Sequence, residues 1–200
     1  MNADDIALFD MDGSLADYTS SLVHALEALR SPGEEPITEE NIWSVEKTPY
    51  IHNRMSLIKK QPGWWLNLAP LQAGMEVLDV CKRFGFKIAI LTKGPKRHSN
   101  AWDEKLQWCQ RHIEPDVDVH ITSDKSLVYG KLLYDDYPEY MLGWLKHRPR
   151  GLGIMPVTTN NKDFKHPNVI MYRGLEDMEK VMIAIRNVKE RKSGEPLSLC

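Results

Sequence analysis

Two carboxylates and a glycine follow a short apolar segment near the start of the chain. Asp10 and Asp12 come directly after residues 6–9, Ile-Ala-Leu-Phe, and Gly13 follows them. A short apolar run of this kind is typical of a strand that is buried on both faces. Alternate residues of a strand point the same way, so both carboxylates can face one site. Carboxylates this close raise each other's pKa unless a cation lies between them or one stays protonated. The pattern therefore predicts a site for a divalent metal ion and a phosphate group.

The same residues also fit two simpler structures. Asp and Gly are common in turns, so the segment could be an ordinary turn. A calcium-binding loop is the other alternative, but it requires Gly at its sixth position and Glu at its twelfth. Gly13 is instead the fourth residue counted from Asp10, and an apolar strand pattern leads into the motif. Residues farther along the chain favour the phosphate site.

Polar residues that suit phosphate chemistry follow three later predicted strands. These residues are Thr92, Lys125 and the pair Asp135–Asp136. Phosphoryl transfer requires a nucleophile, a proton donor, groups that hold the phosphate oxygens and a metal ion that offsets negative charge. Mg²⁺ is the natural ion, because it binds carboxylates, water and substrate phosphate. Taken singly, the residues could be a strand-end Thr, a solvated Lys and an Asp-Asp turn. Lys131 is an alternative to Lys125 for binding phosphate, but it lies at the start of the predicted strand 131–134 and not after the end of a strand.

The elements that must position these residues alternate between strand and helix. Strands are predicted over residues 6–9, 87–91, 117–121, 131–134, 151–157 and 169–172, and helices over 17–30, 53–60, 71–85, 100–112 and 175–188. The helix over 100–112 is expected to bury Trp102, Leu106 and Cys109 on one face, followed by Ile113. The alternation predicts an α/β fold with a mostly parallel sheet and helices on both faces.

Residues 17–69 interrupt this alternation and are predicted to form a small helical cap. The core would then comprise residues 1–16 and 70–200. An insertion directly after the first strand lies over the carboxyl ends of the strands, where open α/β sheets bind ligands.

Composition limits the classes of partner. With 42% hydrophobic and 27% charged residues the chain suits a soluble domain. Its net charge of −2 gives no positive electrostatic field that would attract duplex nucleic acid. No segment approaches a membrane span, and Asp4 and Asp5 stand where a signal peptide would be basic. The cysteines Cys81, Cys109 and Cys200 form no CxxC pair, which favours a reduced, cytoplasmic setting. The histidines lack HxH and HExxH spacings, so zinc is not indicated, and the oligomeric state is left open.

Several motifs, in order, resemble those of the haloacid dehalogenase superfamily of phosphohydrolases. They are DMDGS at residues 10–14 with its preceding strand, ILTKGP at 90–95, and Lys125 ten residues before Asp135. More narrowly, the chain resembles the 5′(3′)-deoxyribonucleotidases. DMDGSLADY is similar to the family's DMDGVLADF, residues 62–66 to its PGFF segment, and residues 124–126 to its RDKT segment. The resemblance covers about residues 6–161 and implies a Rossmann-like core.

The resemblance also implies catalytic roles. Asp10 would attack phosphorus and form an aspartyl-phosphate, and Asp12 would act as acid and base, with its backbone carbonyl reaching the metal. Thr92 would hydrogen-bond a phosphate oxygen, and Lys125 would offset the charge of Asp10 and the phosphate. Asp136 would be the side-chain metal ligand, supported by Asp135, so the predicted metal group is Asp10, Asp12, Asp135 and Asp136.

Substrate contacts are expected from aromatic residues and from one departure from the family pattern. Tyr18 stands where the family has a Phe against the nucleobase, and Trp43, Trp64 and Trp65 are candidate pocket aromatics from the cap. Lys93 stands where the family has Ser in Thr-Ser-Pro, which adds a cation to the phosphate-binding candidates. Ser123 stands where the family has Arg. These two departures are expected to affect substrate preference and not hydrolysis itself.

The prediction is a Mg²⁺-dependent phosphomonoesterase that acts on a small phosphorylated substrate, with (deoxy)nucleoside monophosphates favoured by the resemblance. One alternative is a phosphatase of sugar phosphates or other small metabolites, whose cap aromatics stack no base. An alternative of another class is a non-catalytic phospho-accepting or phosphate-sensing module. Such a module has no need for an acid/base residue at Asp12 or for a cap that contains several Trp residues.

Overall fold

Six strands of the described residues form one parallel sheet. The computed structural model describes residues 5–95, 100–191, 195–197 and 199. The strands are β1 (Ile6–Phe9), β2 (Lys87–Thr92), β3 (Asp118–Ile121), β4 (Leu132–Tyr134), β5 (Leu152–Pro156) and β6 (Val169–Tyr172), in the order β3-β2-β1-β4-β5-β6. Seven α-helices of the same residues accompany the sheet: α1 (Tyr18–Glu27), α2 (Ile42–Val45), α3 (Pro49–Lys60), α4 (Gln72–Arg83), α5 (Asn100–His112), α6 (Pro138–Lys146) and α7 (Met178–Glu190). The predicted α/β fold is confirmed.

Strand β1 lies in the middle of the sheet, because its residues can be buried on both faces. Ala7, Leu8 and Phe9 are fully buried, as expected for a central parallel strand. Phe9 pairs with Ile90 of β2 on one side and with Tyr134 of β4 on the other. The residues that follow these strands therefore emerge side by side at the carboxyl edge of the sheet.

Helix α6 covers one face of the sheet and is absent from the sequence-based prediction. No helix was predicted after Asp135–Asp136, where a turn was one alternative, but proline is tolerated in the first turn of a helix, and α6 begins at Pro138. Its residues Met141 and Trp144 are buried in a cluster that also contains Leu8 of β1. Residues of α4, α5 and α7 join a second cluster with Phe9 on the opposite face.

The buried face of α5 differs from the predicted one. Trp102 and Leu106 are 46% and 37% exposed, whereas Glu104, Lys105 and Trp108 are buried. The prediction assumed that the apolar residues would mark the buried face. It was correct for Cys109, which is buried, and wrong for Trp102 and Leu106. Glu104 and Lys105 can occupy the buried face because both find polar partners inside the protein, which offsets the cost of their burial.

The inserted segment forms a helical layer with an apolar cluster of its own. Helices α1, α2 and α3 contribute Leu22, Leu26, Ile42, Ile51, Met55 and Ile58 to this cluster. The chain enters and leaves the segment at one place, since the Asp17 N–H donates to the Ala69 carbonyl at 2.8 Å. The boundaries of the core, 1–16 and 70–200, and of the cap, 17–69, stay a prediction.

Glu104 of α5 connects this cap to the core. Its Oε1 accepts from the Gly63 N–H at 2.8 Å, and its Oε2 accepts from the Trp65 N–H at 3.1 Å. The side chain is buried, so both backbone donors depend on it for a partner. Glu104 therefore holds the cap loop 63–65 against the core.

We expect Glu104→Gln to lower the free energy of unfolding by about 1–3 kcal/mol, because an amide group offers only one oxygen to two backbone donors. The thermal midpoint should fall by roughly 3–10 °C in a melt followed by circular dichroism. Glu114→Gln is the control, since the Glu114 side chain lies at the surface, where it pairs with Lys82 at 3.3 Å. Equal midpoints for the two variants would contradict the role given to Glu104.

No helix among the described residues has both the length and the apolar character needed to cross a bilayer. Cys81 and Cys109 carry buried free thiols. Asp4 and Cys200, which entered the sequence arguments, lie outside the described residues.

Candidate active site

Three carboxylates converge at the carboxyl edge of the sheet. Asp10 follows β1, and Asp135 and Asp136 follow the neighbouring strand β4. Each offers one oxygen, and these oxygens all lie within 4.8 Å of one another. The shared site predicted for these residues follows from the register, because Phe9 and Tyr134 pair just before them.

Lys125 lies between two of these carboxylates. Its Nζ is 2.6 Å from Asp10 Oδ1 and 2.6 Å from Asp135 Oδ2, and the side chain is buried. Burial lowers the pKa of Lys125, but the charges of Asp10 and Asp135 outweigh this effect, so the net pKa is raised and the side chain stays protonated. Lys131, the competing candidate, instead pairs with Asp5 at 2.7 Å. Asp5 precedes β1, so this pair lies at the opposite edge of the sheet.

The two consecutive carboxylates differ in what occupies their oxygens. Asp135 Oδ2 accepts from Lys125 at 2.6 Å, and its Oδ1 accepts from the Tyr137 N–H at 2.9 Å. Asp136 Oδ1 accepts from the Ser14 hydroxyl at 3.2 Å, and Asp136 also lines the cleft above the sheet. Asp136 is therefore better placed than Asp135 to give an oxygen to a metal ion.

The charge balance of the group fits a hard divalent cation. Burial, together with the charges of Asp10 and Asp135, raises the pKa of Asp136 well above its ordinary value. Burial and Asp10 also raise the pKa of Asp135 to about 6, although Lys125 opposes them. A divalent ion would relieve this crowding, and an all-oxygen donor set suits Mg²⁺. The Asp12 carboxylate is not part of this group, so its predicted metal contact rests on its backbone carbonyl.

These raised pKa values predict a stability that depends on pH and metal. Protonation of the folded state stabilises it below the unfolded pKa near 3.8, and this contribution is lost as pH rises through about 6. Metal-free protein should therefore melt at a lower temperature at about pH 7.5 than at about pH 5. MgCl₂ should raise the midpoint by several degrees more at the higher pH, relative to EDTA. Asp136→Asn should largely remove the Mg²⁺ effect, and an equal Mg²⁺ effect at both pH values would contradict the prediction.

Asp12 pairs with a lysine that the sequence-based prediction missed. Lys105 Nζ lies 2.5 Å from Asp12 Oδ2, 3.0 Å from Thr92 Oγ1 and 2.9 Å from the Lys93 carbonyl. Asp12 Oδ1 is buried and has no hydrogen-bond partner among the described residues. Burial raises the pKa of Asp12, while Lys105 lowers it and Asp10 raises it further. The pair therefore leaves Oδ1 as the oxygen that can carry a proton.

Lys105→Met should raise the pKa of Asp12 further, because the nearest positive charge is removed. If Asp12 acts as acid and base, kcat at neutral pH should fall about 10–100-fold, and the pH optimum should move upward. The measurement is a pH profile of kcat with Lys82→Met as control, since Lys82 pairs at the surface with Glu114. A lower kcat with an unchanged pH profile would assign Lys105 to packing alone.

The cleft above the carboxylates has a volume of about 870 Å³ and lies between cap and core. Tyr18 and Trp43, two of the candidate pocket aromatics, line it from the cap, with ring planes 8° apart and centroids 6.3 Å apart. Lys93 lines it from the core, and its Nζ donates to the Tyr140 hydroxyl at 2.8 Å. Tyr137 and Tyr140 of the α6 region line it as well and were not predicted, because α6 itself was not.

Three predicted residues do not line this cleft. Trp65 is buried, its indole N–H donates to the Lys59 carbonyl at 3.0 Å, and its ring lies 4.6 Å from Lys105 Nζ. Trp64 packs edge-on against Tyr18, with centroids 5.5 Å apart, and faces a separate small hollow. Thr92 is fully buried and accepts from Lys105. Both Trp rings pack against Tyr18, which lines the cleft, and do not line it themselves.

The chain resembles known proteins in sequence. The family model for 5′ nucleotidase, deoxy (pyrimidine), cytosolic type C proteins matches residues 4–185. A Bordetella pertussis protein, provisionally named a 5′(3′)-deoxyribonucleotidase, is 30% identical over 139 residues, which span 66% of this chain and 74% of the relative. A Bordetella bronchiseptica protein with the same provisional name is 29% identical over the same shares.

Solved structures resemble the chain in fold. A haloacid dehalogenase family hydrolase from Deinococcus radiodurans, solved with phosphate and sodium, has a TM-score of 0.59 at 10% identity, covering 94% of this chain and 99% of that one. A hydrolase of the same superfamily from Ehrlichia chaffeensis has a TM-score of 0.51 at 11% identity, covering 94% and 100%. At such identities the likeness shows the fold alone.

Proposed function

This chain belongs to the 5′ nucleotidase, deoxy (pyrimidine), cytosolic type C family and is a phosphoric monoester hydrolase of the haloacid dehalogenase type; from this premise we propose that it releases phosphate from (deoxy)nucleoside monophosphates through an aspartyl-phosphate on Asp10. The observation that carries the proposal is the arrangement of Asp10, Lys125 and Asp136 at one strand edge, with the separately held Asp12 beside them.

In the first step, an oxygen of Asp10 bonds to phosphorus while the bond from phosphorus to the leaving oxygen breaks. Lys125, 2.6 Å from Asp10 Oδ1, orients the carboxylate and offsets negative charge on the phosphate. Asp12 supplies the proton that the leaving alkoxide needs. Its free Oδ1 supports this role, because Lys105 occupies Oδ2.

In the second step, water displaces Asp10 from phosphorus, and Asp12 takes the proton of that water. Phosphate is released and both carboxylates return to their starting states. Asp10 and Asp136, with the Asp12 backbone carbonyl, would hold Mg²⁺, which when bound offsets phosphate charge and the crowding of the carboxylates.

The aromatic walls support a nucleotide as the substrate. Tyr18 and Trp43 line the same cleft as Asp10 and Asp136, and aromatic rings stack on nucleobases. The family description and the names of the Bordetella relatives point the same way.

A substrate screen tests the proposal. Phosphate release should be measured with MgCl₂ and with EDTA on deoxynucleoside and ribonucleoside monophosphates, sugar phosphates and an aryl phosphate. We expect Mg²⁺-dependent turnover with the highest kcat/KM on nucleoside monophosphates. Higher kcat/KM on sugar phosphates would replace the nucleotide assignment. Absence of turnover on every phosphate would favour a phosphate-sensing module.

A further inference from the structure

Asp136 is hydrogen-bonded to Ser14, a residue 122 positions earlier in the chain. The Ser14 hydroxyl donates to Asp136 Oδ1 at 3.2 Å and accepts from the Asp136 backbone N–H at 3.1 Å. Ser14 lies in the turn after β1 and is 1% exposed. One buried hydroxyl therefore holds both the backbone and the carboxylate of the same residue.

The backbone carbonyl of Asp136 is also held, by Asn161. Asn161 is buried, and its Nδ2 donates to the carbonyls of Asp136 and Pro156, each at 2.8 Å. Its Oδ1 accepts from the Thr158 N–H at 2.8 Å. With its N–H and C=O both bonded, Asp136 can move its carboxylate only by side-chain rotation, which the Ser14 contact to Oδ1 opposes.

Gly13 leaves the space that this carboxylate occupies. A Cβ at Gly13 would lie 2.8 Å from Asp136 Oδ2, and the glycine has a φ of +77°, which other residues rarely adopt. The turn residues Gly13 and Ser14 thus contact the two carboxylate oxygens differently. Ser14 bonds Oδ1, and Oδ2 passes close over the glycine.

We propose that Ser14 is a positioning residue for divalent-metal binding: it fixes Oδ1 of Asp136 so that Oδ2 faces the ion. The proposal rests on the function proposed above, in which Asp136 is a metal ligand. Groups that orient a ligand from behind typically contribute 10–100-fold to metal affinity, because the ligand need not be ordered when the ion binds. Ser14 has no role in the chemical step itself.

The matched pair Ser14→Thr and Ser14→Val tests the proposal, because both side chains have the same shape and only Thr keeps the hydroxyl. Isothermal titration of the full chain with MgCl₂ measures affinity without turnover. We expect Val to bind Mg²⁺ about 10–100-fold more weakly than Thr. Phosphate release at saturating Mg²⁺ should be within a few-fold for the two, so the defect appears as a higher Mg²⁺ requirement.

Equal Mg²⁺ affinity in the Thr and Val variants would overturn the proposal. If the added methyl prevents either variant from folding in a thermal melt with EDTA, Ser14→Ala against the wild type gives the same comparison without added volume. Failure of the proposed function looks different: the wild type and Asp136→Asn would then bind Mg²⁺ equally or not at all. Wild-type binding that Asp136→Asn removes and the Ser14 variants keep would refute only the role of Ser14.

Discussion

Asp10→Asn is expected to abolish turnover, lowering kcat by at least about four orders of magnitude, because an amide oxygen is a very poor nucleophile toward phosphorus. The fold should survive, since Asn has the shape of Asp and its neutral group relieves repulsion among the three clustered carboxylates. Lys125 keeps its second partner, Asp135, at 2.6 Å. Phosphate release and covalent labelling from a ³²P-labelled substrate are the measurements.

Asp118→Asn is the matched control. Asp118 lies at the start of β3, at the far edge of the sheet, and pairs at the surface with Lys87. Its loss should leave kcat within about two-fold. An Asp10→Asn protein that still turns over, or that still acquires the label, would remove Asp10 from the role of nucleophile.

Asp12→Asn is expected to separate the two chemical steps. An aryl phosphate with an acidic leaving group needs little protonation, so phosphorylation of Asp10 should continue. Hydrolysis of the phosphoenzyme should slow about 10²–10⁴-fold, because no base takes the proton of the attacking water. A rapid-mixing experiment should then show a burst of aryl alcohol close to one equivalent, followed by slow release.

A nucleoside monophosphate has a poorer leaving group, so the same variant should be slow on it from the first step, without a burst. Asp103→Asn, on the exposed face of α5 where the carboxylate accepts from Gln107 at 2.7 Å, should show wild-type kinetics. Steady release of aryl alcohol without a burst, at the wild-type rate, would require another acid and base.

The grouping of carboxylates at the carboxyl ends of the strands could be predicted from sequence, because the signal for each residue lies in the segment directly before it. Asp10 follows an apolar strand directly, and so does Asp135, so a parallel sheet with adjacent β1 and β4 must bring them together. Phe9 pairs with Tyr134, so the residues that follow them, Asp10 and Asp135, lie side by side. Lys125 could be found from its place after the third strand, without knowledge of its contacts.

Lys105 and Glu104 could not be found in this way, since hydrophobic periodicity treats charged residues as solvent-facing. Their burial depends on Asp12 and on the backbone of the loop 63–65, which are distant in sequence. The signal for burial that the sequence offers is that Lys105 lies on the same face of α5 as Ala101 and Trp108. Trp64 was predicted to line the cleft because it is aromatic. In the structure its ring packs against Tyr18, and Tyr18 lines the cleft.

Glu104 and Lys105 are consecutive residues of α5, yet one bonds the cap loop and the other bonds Asp12. We expect a ligand that holds the cap against the core also to keep Lys105 beside Asp12, and a ligand that displaces loop 63–65 to disturb both contacts. Under the proposed function, we therefore expect discrimination among nucleotides in kcat as well as in KM, so that unsuitable monophosphates occupy the cleft but are cleaved slowly.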